Sequence, residues 1–300
     1  MKKILFLILL LPAFFGCNLQ KYNIQINLSD GDTCHWNMLS CTTVREKIMG
    51  SEFKMNIISE ENYNNYVVGQ DTQGYLIDMT IVDFNYESRI NNTPQNNNDN
   101  SRFSVDTLKK RMMNVPFAMK LTRQGRISEL ETNTLFKRIY EEEKSFSPEE
   151  IEWLKKFIDN LFGKDGLKGQ MEALTAIYPS DPVHKNSKWK TETKIISNYN
   201  SSTTTTYKLV EIGEDYFLIK GHGEIKTCKD NKEIDLGYMS VIYNLTGSIE
   251  STIKVDKKTG WIISAFFHQF LDGTATIVKG QGISSGTTFP MTITHDLIIK

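Results

Sequence analysis

The chain has 300 residues and carries 35 lysine and arginine side chains against 36 aspartate and glutamate side chains, a formal net charge of −1. This balance argues against the strongly basic surface that nucleic-acid binding requires, so we expect no nucleic-acid partner. Aromatic residues make up 11% of the chain and only 7 prolines occur. Such a composition is typical of a folded protein and excludes a long disordered stalk.

The first seventeen residues predict an export signal. Lys2 and Lys3 give a positive start, residues 4–15 are nearly all apolar, and Gly16-Cys17 ends the run. A membrane span needs roughly twenty apolar residues to cross a ~30 Å hydrocarbon core. The run is shorter than that, so we interpret it as a signal peptide that is removed.

The end of this signal, Phe-Phe-Gly-Cys, resembles a bacterial lipobox, although Phe14 and Phe15 depart from the usual residues. The resemblance implies that residues 1–16 are a lipoprotein signal peptide, that Cys17 carries the lipid, palmitate included, and that residues 17–21 form the tether. The alternative is a plain secreted protein with an incidental cysteine.

Alternation of apolar and polar residues predicts strands in two blocks. The first block is a four-stranded meander within residues 22–91, with strands that begin at residues 22, 33, 53 and 75. The strand that begins at residue 53 is expected to fade through Asn62 to Asn65. The second is a meander within residues 188–300, with strands over residues 189–197, 203–212, 216–227, 243–255, 261–271 and 287–300.

The segment between these blocks, residues 102–178, predicts a hairpin around Gly125 and three to four helices. The helices are expected to begin near residues 104, 134, 147 and 167, and Ser147-Pro148 combines a cap with a proline at the first helical position. The predicted fold class is therefore α+β in a single domain of residues 22–300. Two antiparallel meanders would form a curved sheet or open half-barrel, with the helices packed on one face.

Beyond Cys17, three cysteines remain, and the sequence leaves the pairing of Cys34, Cys41 and Cys228 open. Cys34 and Cys41 fall seven residues apart on one predicted strand, which separates them by roughly 23 Å at ~3.3 Å per residue. A disulfide needs Cα atoms within ~7 Å, so these two cannot bridge in an unbroken strand. No Cys/His spacing of a zinc site occurs, and we expect no metal and no cofactor.

Two candidate catalytic residues are weighed and set aside. Ser284 lies in Gly-Ile-Ser-Ser-Gly, which matches the serine motif of hydrolases, but that motif needs a helix directly after the serine and a strand pattern follows here. His222 stands between two glycines, which also suits a strand irregularity. We therefore expect no catalytic residue and no enzyme, with a hydrolase that uses Ser284 or His222 as the remaining alternative.

Methionine and tryptophan recur at inward positions of the predicted strands. Such side chains suit an adaptable apolar cavity for a hydrophobic ligand, and a fully packed core is the alternative. The candidate cavity residues are Trp36, Met38, Met55, Met79, Met119, Trp189 and Trp261.

The whole arrangement resembles a family of uncharacterised Bacteroidota-type lipoproteins. Thr259-Gly260-Trp261 and the segment from Pro182-Val183 to Trp189 carry the resemblance, the latter with a departure at residues 186–188. The predicted architecture is also similar to periplasmic lipoprotein-carrier folds, an analogy of fold only.

We accordingly expect a non-enzymatic lipoprotein that is anchored in the outer membrane, on its periplasmic face, and binds a hydrophobic small molecule or an envelope protein. The alternative is a structural or assembly lipoprotein with a packed core that acts through its surface.

Overall fold

The computed structural model describes residues 20–94, 111–135, 137, 147–148, 151–152, 155, 164–195, 200–228, 233–235, 239–280 and 282–300. Antiparallel strands dominate these residues, and one helix of about three turns, α1, spans Lys164–Thr175. The strands are β1 (Thr33–Ile48), β2 (Ser51–Gln70), β3 (Gly74–Ile90), β4 (Thr93–Pro94), β5 (Phe117–Thr122), β6 (Ile127–Glu131), β7 (Lys188–Ile195), β8 (Ser201–Ile212), β9 (Tyr216–Thr227), β10 (Ile234–Asp235), β11 (Met239–Asp256), β12 (Ile262–Gly280) and β13 (Thr288–Ile299).

All thirteen strands of the described residues belong to one sheet. Its order is β6-β5-β3-β2-β1-β13-β12-β11-β9-β8-β7, with β4 on β3 and β10 on β11. The two halves meet where β1 pairs with β13 from Met38↔Ile299 to Glu46↔Met291. Pairing of the first long strand with the last one therefore makes a single sheet out of two meanders.

The central strands are unusually long, at 16 residues for β1, 20 for β2, 18 for β11 and 19 for β12. Strands of globular proteins average about five or six residues. In each long strand, successive side chains point to opposite faces of the sheet. A single period-two pattern therefore sorts many residues between an inner face, which carries most of the core, and an outer face.

The end of the sheet near the start of β1 is tightly packed, and we call it the closed end. The indole rings of Trp36 and Trp261 stack there with centroids 4.7 Å apart and planes at 19°. The hydroxyl of Tyr75 donates to the carbonyl of Ile26 at 3.1 Å, and that of Tyr178 donates to the carbonyl of Gly260 at 2.6 Å. These hydrogen bonds hold segments without regular secondary structure against the aromatic side chains of the closed end.

The segment predicted as the first strand, residues 22–28, runs across the closed end without joining the sheet as a strand. The alternation of apolar and polar residues still decides which side chains are buried, since Ile24, Ile26 and Leu28 all are. Its backbone bonds go to loops, with Ile26 N donating to the carbonyl of Arg123 at 2.9 Å. The apolar pattern here predicted burial correctly and strand pairing incorrectly.

Helix α1 packs on the inner side of the sheet and is tied to the β5–β6 hairpin. The Arg126 guanidinium donates to the Glu172 carboxylate at 2.9 Å, and the Thr175 hydroxyl donates to the carbonyl of Gly125 at 2.6 Å. Leu167, Met171 and Leu174 share one buried helix face. α1 thereby covers part of the inner face.

The predicted α+β class is wrong. The protein is mostly β, because strands that were expected to end at polar residues continue through them and form one large antiparallel sheet rather than two meanders under a helical layer. The predicted helix near residue 167 is present as α1. The helices expected to begin near residues 104, 134 and 147 fall largely outside the described residues.

The thiols of Cys34, Cys41 and Cys228 are free. β1 runs without interruption through Cys34 and Cys41, which places the two on opposite faces of the sheet. Burial, with the nearby charges of Asp32 and Asp256, raises the pKa of the Cys34 thiol to about 11. Cys34 therefore stays protonated near neutral pH.

We predict that Gly260→Ala lowers the free energy of unfolding by ~3 kcal/mol or more. Gly260 has φ +66°, and an added Cβ would lie 1.9 Å from the carbonyl oxygen of Gln25. Gly50→Ala is the matched control, because Gly50 has φ +87° with open space around it. The control should cost only the ~1–2 kcal/mol of a left-handed alanine, and equal losses for both variants in urea titrations would contradict this packing.

Candidate functional site

A cavity of about 990 Å³ lies between the inner face of the sheet and α1. Strands β2, β1, β13, β12 and β11 form what we call its floor, and Met171 and Leu174 of α1 lie against it. Ligand pockets in proteins commonly measure ~300–1,000 Å³. The cavity is therefore at the upper end of the range for a small-molecule site.

The period-two pattern of each strand builds the floor. Apart from Lys54 of β2, the lining residues of three strands are Met38, Ser40, Thr42, Val44, Glu46 and Ile48 of β1, Phe53, Met55, Ile57, Ser59, Glu61 and Tyr63 of β2, and Phe289, Met291, Ile293, His295 and Leu297 of β13. In each strand these positions are every second residue, so one face of the strand lines the cavity. Most of them are apolar, which makes the site suited to an apolar ligand.

One row of the floor is polar. Thr42 pairs with His295, and His295 pairs with Gln269, so three neighbouring strands contribute one polar side chain each. We call Thr42, His295 and Gln269 the polar row. The Thr42 hydroxyl and Nδ1 of His295 lie 2.8 Å apart and share a hydrogen bond. Burial lowers the pKa of His295, which favours the neutral imidazole.

Charged residues that line the cavity lie towards its two ends. Glu61 accepts a hydrogen bond from the Tyr63 hydroxyl near the closed end. Burial, together with the Glu61 carboxylate, raises the pKa of Tyr63. Glu46 and Lys54 lie near the β1–β2 turn. Burial raises the pKa of Glu46, which favours the protonated acid more than an exposed site would.

The end of the cavity at the β1–β2 turn is open, and we call it the mouth. Met49, in the turn itself, is 80% exposed and has φ +51°. Phe53 and Ile90 line the cavity here while 41% and 38% of their surfaces stay exposed. Apolar surface therefore continues from the interior of the cavity to the outside of the protein.

The structure brings two of the seven candidate cavity residues to this site, Met38 and Met55. Trp36 and Trp261 form the stacked pair at the closed end. Met79 of β3 and Met119 of β5 are fully buried, and these two strands pair with each other. Trp189 stacks on Tyr207 and donates its indole N–H to the carbonyl of Ile177 at 2.9 Å. Cys17, the candidate lipidation site, lies outside the described residues.

The polar row was missed by sequence reasoning. Each of its residues stands at an inward position of an alternating strand, where a polar side chain among apolar neighbours is a usable signal. That signal gains meaning only once β1, β13 and β12 are known to be adjacent.

The two residues considered for catalysis lie apart from the cavity lining. Ser284 is in the turn between β12 and β13, where its carbonyl accepts a bond from the Thr287 hydroxyl at 2.7 Å. His222 is exposed on β9, with Nδ1 3.8 Å from the Glu250 carboxylate. Within the described residues, no group of three or more His, Cys, Asp or Glu side chains could hold a metal ion.

The helices in the described part of the chain include none that is long and apolar enough to cross a membrane.

Residues 72–262 match a protein family described as "Family of unknown function (DUF6263)". The chain belongs to this family. The match bears out the expected membership of an uncharacterised family and runs from the turn before β3 to the start of β12. Most of the cavity floor, on β1, β2 and β13, lies outside the matched residues. A search of curated proteins finds no match.

Among solved structures, one of lipovitellin that concerns lipid–protein interactions aligns with a TM-score of 0.51 and 8% sequence identity. The alignment covers 91% of this chain and 25% of the lipovitellin chain, so this chain spans a quarter of that protein's length. At this identity the similarity shows a shared fold alone.

An outer membrane channel from Pseudomonas putida F1 aligns over 92% of this chain and 97% of the channel, at 8% identity and a TM-score of 0.23. OmpT, an outer membrane protein of Vibrio cholerae, aligns as a loop-deletion mutant over 91% of this chain and 100% of its own, at 10% identity and a TM-score of 0.17. Scores this low carry no argument about fold or function.

We predict that the folded protein loses stability through His295 as the pH falls below ~6.5, the pKa of an unperturbed histidine. The pKa of His295 is lower in the folded protein than in the unfolded chain, so the unfolded chain binds the proton first as the pH falls. The loss of stability stops once the pH is below the folded-state pKa, because both states are then protonated. Urea titrations across this pH range should show a steeper loss for the wild type than for His295→Gln. Parallel curves, or an NMR titration that places the His295 pKa above 6.5, would contradict the account.

Proposed function

We propose that this protein is a non-enzymatic lipoprotein that binds a hydrophobic ligand in its cavity. The observation that carries the proposal is the floor itself, in which apolar side chains from five strands face about 990 Å³ of open volume. A packed protein interior leaves few voids larger than a water molecule. The protein therefore gains stability when an apolar molecule fills a cavity of this size.

The open mouth supports the same proposal. A ligand of low water solubility needs a path that keeps it in contact with apolar surface, and Phe53 and Ile90 supply such surface at the mouth. The fold shared with part of lipovitellin, whose structure concerns lipid–protein interactions, is compatible with a lipid-like ligand.

We also propose a cellular location for the protein. We assign the protein to Bacteroidota-type lipoproteins of the outer membrane, anchored through a lipid on Cys17 and facing the periplasm. The lipobox-like end of the signal supports this assignment. The residues that follow, Asn-Leu-Gln-Lys, lack the acidic cluster of a surface-export signal.

A second candidate is a structural or assembly lipoprotein that acts through its surface. The outer face of the sheet favours it, since Ile58, Phe266 and Phe270 are each more than 40% exposed there. Exposed apolar side chains on one face of a sheet can contribute to a protein contact. A protein that carries no apolar molecule in the experiment below would favour this candidate.

The test is native mass spectrometry with lipid extraction on protein expressed from Asn18 onward. We expect the wild type to carry a co-purified apolar molecule. Ile57→Trp should reduce its occupancy about tenfold, because Ile57 lines the cavity and the larger ring takes up ligand volume. Ile58→Trp is the matched control, since Ile58 is the next residue in β2 and is exposed.

Both variants should keep the circular dichroism spectrum and unfold cooperatively. A wild type that carries nothing and also fails to take up added lipid would overturn the proposal. Equal loss of ligand in Ile57→Trp and Ile58→Trp would show that the ligand is bound elsewhere.

A further inference from the structure

On β13 and β12 the polar row is flanked by apolar residues, and Ser40 and Ser59 add hydroxyl groups to the floor beside it on β1 and β2. Towards the mouth, the next inward row is Val44, Ile293 and Leu271. Towards the closed end, Leu297 and Phe267 pair across β13 and β12, with Ser40 of β1 beside Leu297. Along β13 and β12, a ligand that fills the cavity would therefore meet apolar side chains, then hydrogen-bonding groups, then apolar side chains again.

The polar row has hydrogen-bonding capacity to spare. Among the described residues, the Gln269 amide and Nε2 of His295 have no partner, while Nδ1 of His295 is engaged with Thr42. His295 and Gln269 are partly buried and line the cavity, so their open capacity faces its interior. Once a ligand excludes water from the cavity, these polar groups would cost free energy unless they are bonded, so the row favours a ligand that supplies the partner.

The row carries no formal charge that would match an ionised ligand. Among the described residues that line the cavity, the cation is Lys54, which lies near the mouth. Along β2, Lys54 is three residues, or ~10 Å, from Ile57, the position opposite Thr42. A buried carboxylate or phosphate needs charge-assisted bonds, whereas a neutral oxygen is satisfied by an amide and an imidazole N–H.

We propose that the polar row binds an uncharged ester group in the interior of a lipid that has apolar chains on both sides of that group. The proposal rests on the function proposed above and names its ligand class. The Gln269 amide donates to the ester carbonyl, with Nε2 of His295 as a second donor when the Thr42 hydroxyl donates to Nδ1. The two apolar chains extend along the strands, one towards Trp36 and one towards Phe53.

The test compares a wax ester with the straight-chain alkane of equal chain length and with a fatty acid, each delivered from cyclodextrin and measured by native mass spectrometry. We expect the wild type to bind the ester about tenfold more tightly than the alkane, as one to two buried hydrogen bonds would give. The fatty acid should bind more weakly than the ester, because its carboxylate would lack a cation at the row.

The variants isolate the row from the rest of the cavity. Gln269→Leu and His295→Leu should each remove most of the tenfold preference for the ester, so that the ratio of ester affinity to alkane affinity falls towards one. Thr42→Val provides a near-isosteric version of the same test. His268→Leu is the matched control, because His268 precedes Gln269 on the other face of β12, where it pairs with Asp296 at 2.6 Å.

The outcomes separate this inference from the proposed function. Equal binding of ester and alkane by the wild type overturns the inference and leaves the apolar cavity as a ligand site. Tighter binding of the fatty acid also overturns it, since the recognised group would then be charged. Binding of none of the three overturns both.

Discussion

The pairing of β1 with β13 is the interaction on which the rest of the structure depends. It joins residues as distant in sequence as Thr42 and His295, which are 253 positions apart. Closing so long a loop costs conformational entropy that only many contacts can offset, and nine residue pairs in register supply them. Without this pairing the two meanders would be separate sheets, and the floor of the cavity would be split between Thr42 and His295. The same contacts must form across nearly the whole chain, so the fold is expected to be slow to assemble.

The cavity follows from that pairing and from strand length. Five adjacent strands of 12 to 20 residues, whose side chains alternate between two faces, offer a broad inner face, and α1, with 12 residues, covers only part of it. The closed end is filled by the Trp36–Trp261 stack and its neighbours, and the mouth is left with exposed Met49 and Phe53. Apolar surface of this kind is favourable only when water is excluded from it. A hydrophobic ligand is the simplest way to exclude water there.

Local pattern predicted the strands well and the architecture poorly. Period two marked β1, β9 and the β5–β6 hairpin because each residue's face is decided within the strand. The class was wrong partly because Asn62 to Asn65 read as the end of a strand, whereas β2 continues through them and Asn65 is buried with its amide donating to the carbonyl of Cys34. Tertiary contacts outweighed the low strand propensity of asparagine.

The candidate site could be predicted from the sequence only in part. Met38 and Met55 could be found from the alternating pattern. The polar row of Thr42, His295 and Gln269 exists only through pairing between strands that are distant in sequence.

The central claim is that the cavity holds a lipid-like molecule whose apolar parts lie along the floor. The most direct measurement is a crystal structure of the protein extracted from cell membranes in mild detergent and never stripped of lipid. The account predicts one elongated stretch of electron density that runs from Met38 past His295 to Met55, continuous with the mouth. A cavity filled by the chain's own side chains, or one that contains only separate water molecules, would contradict it.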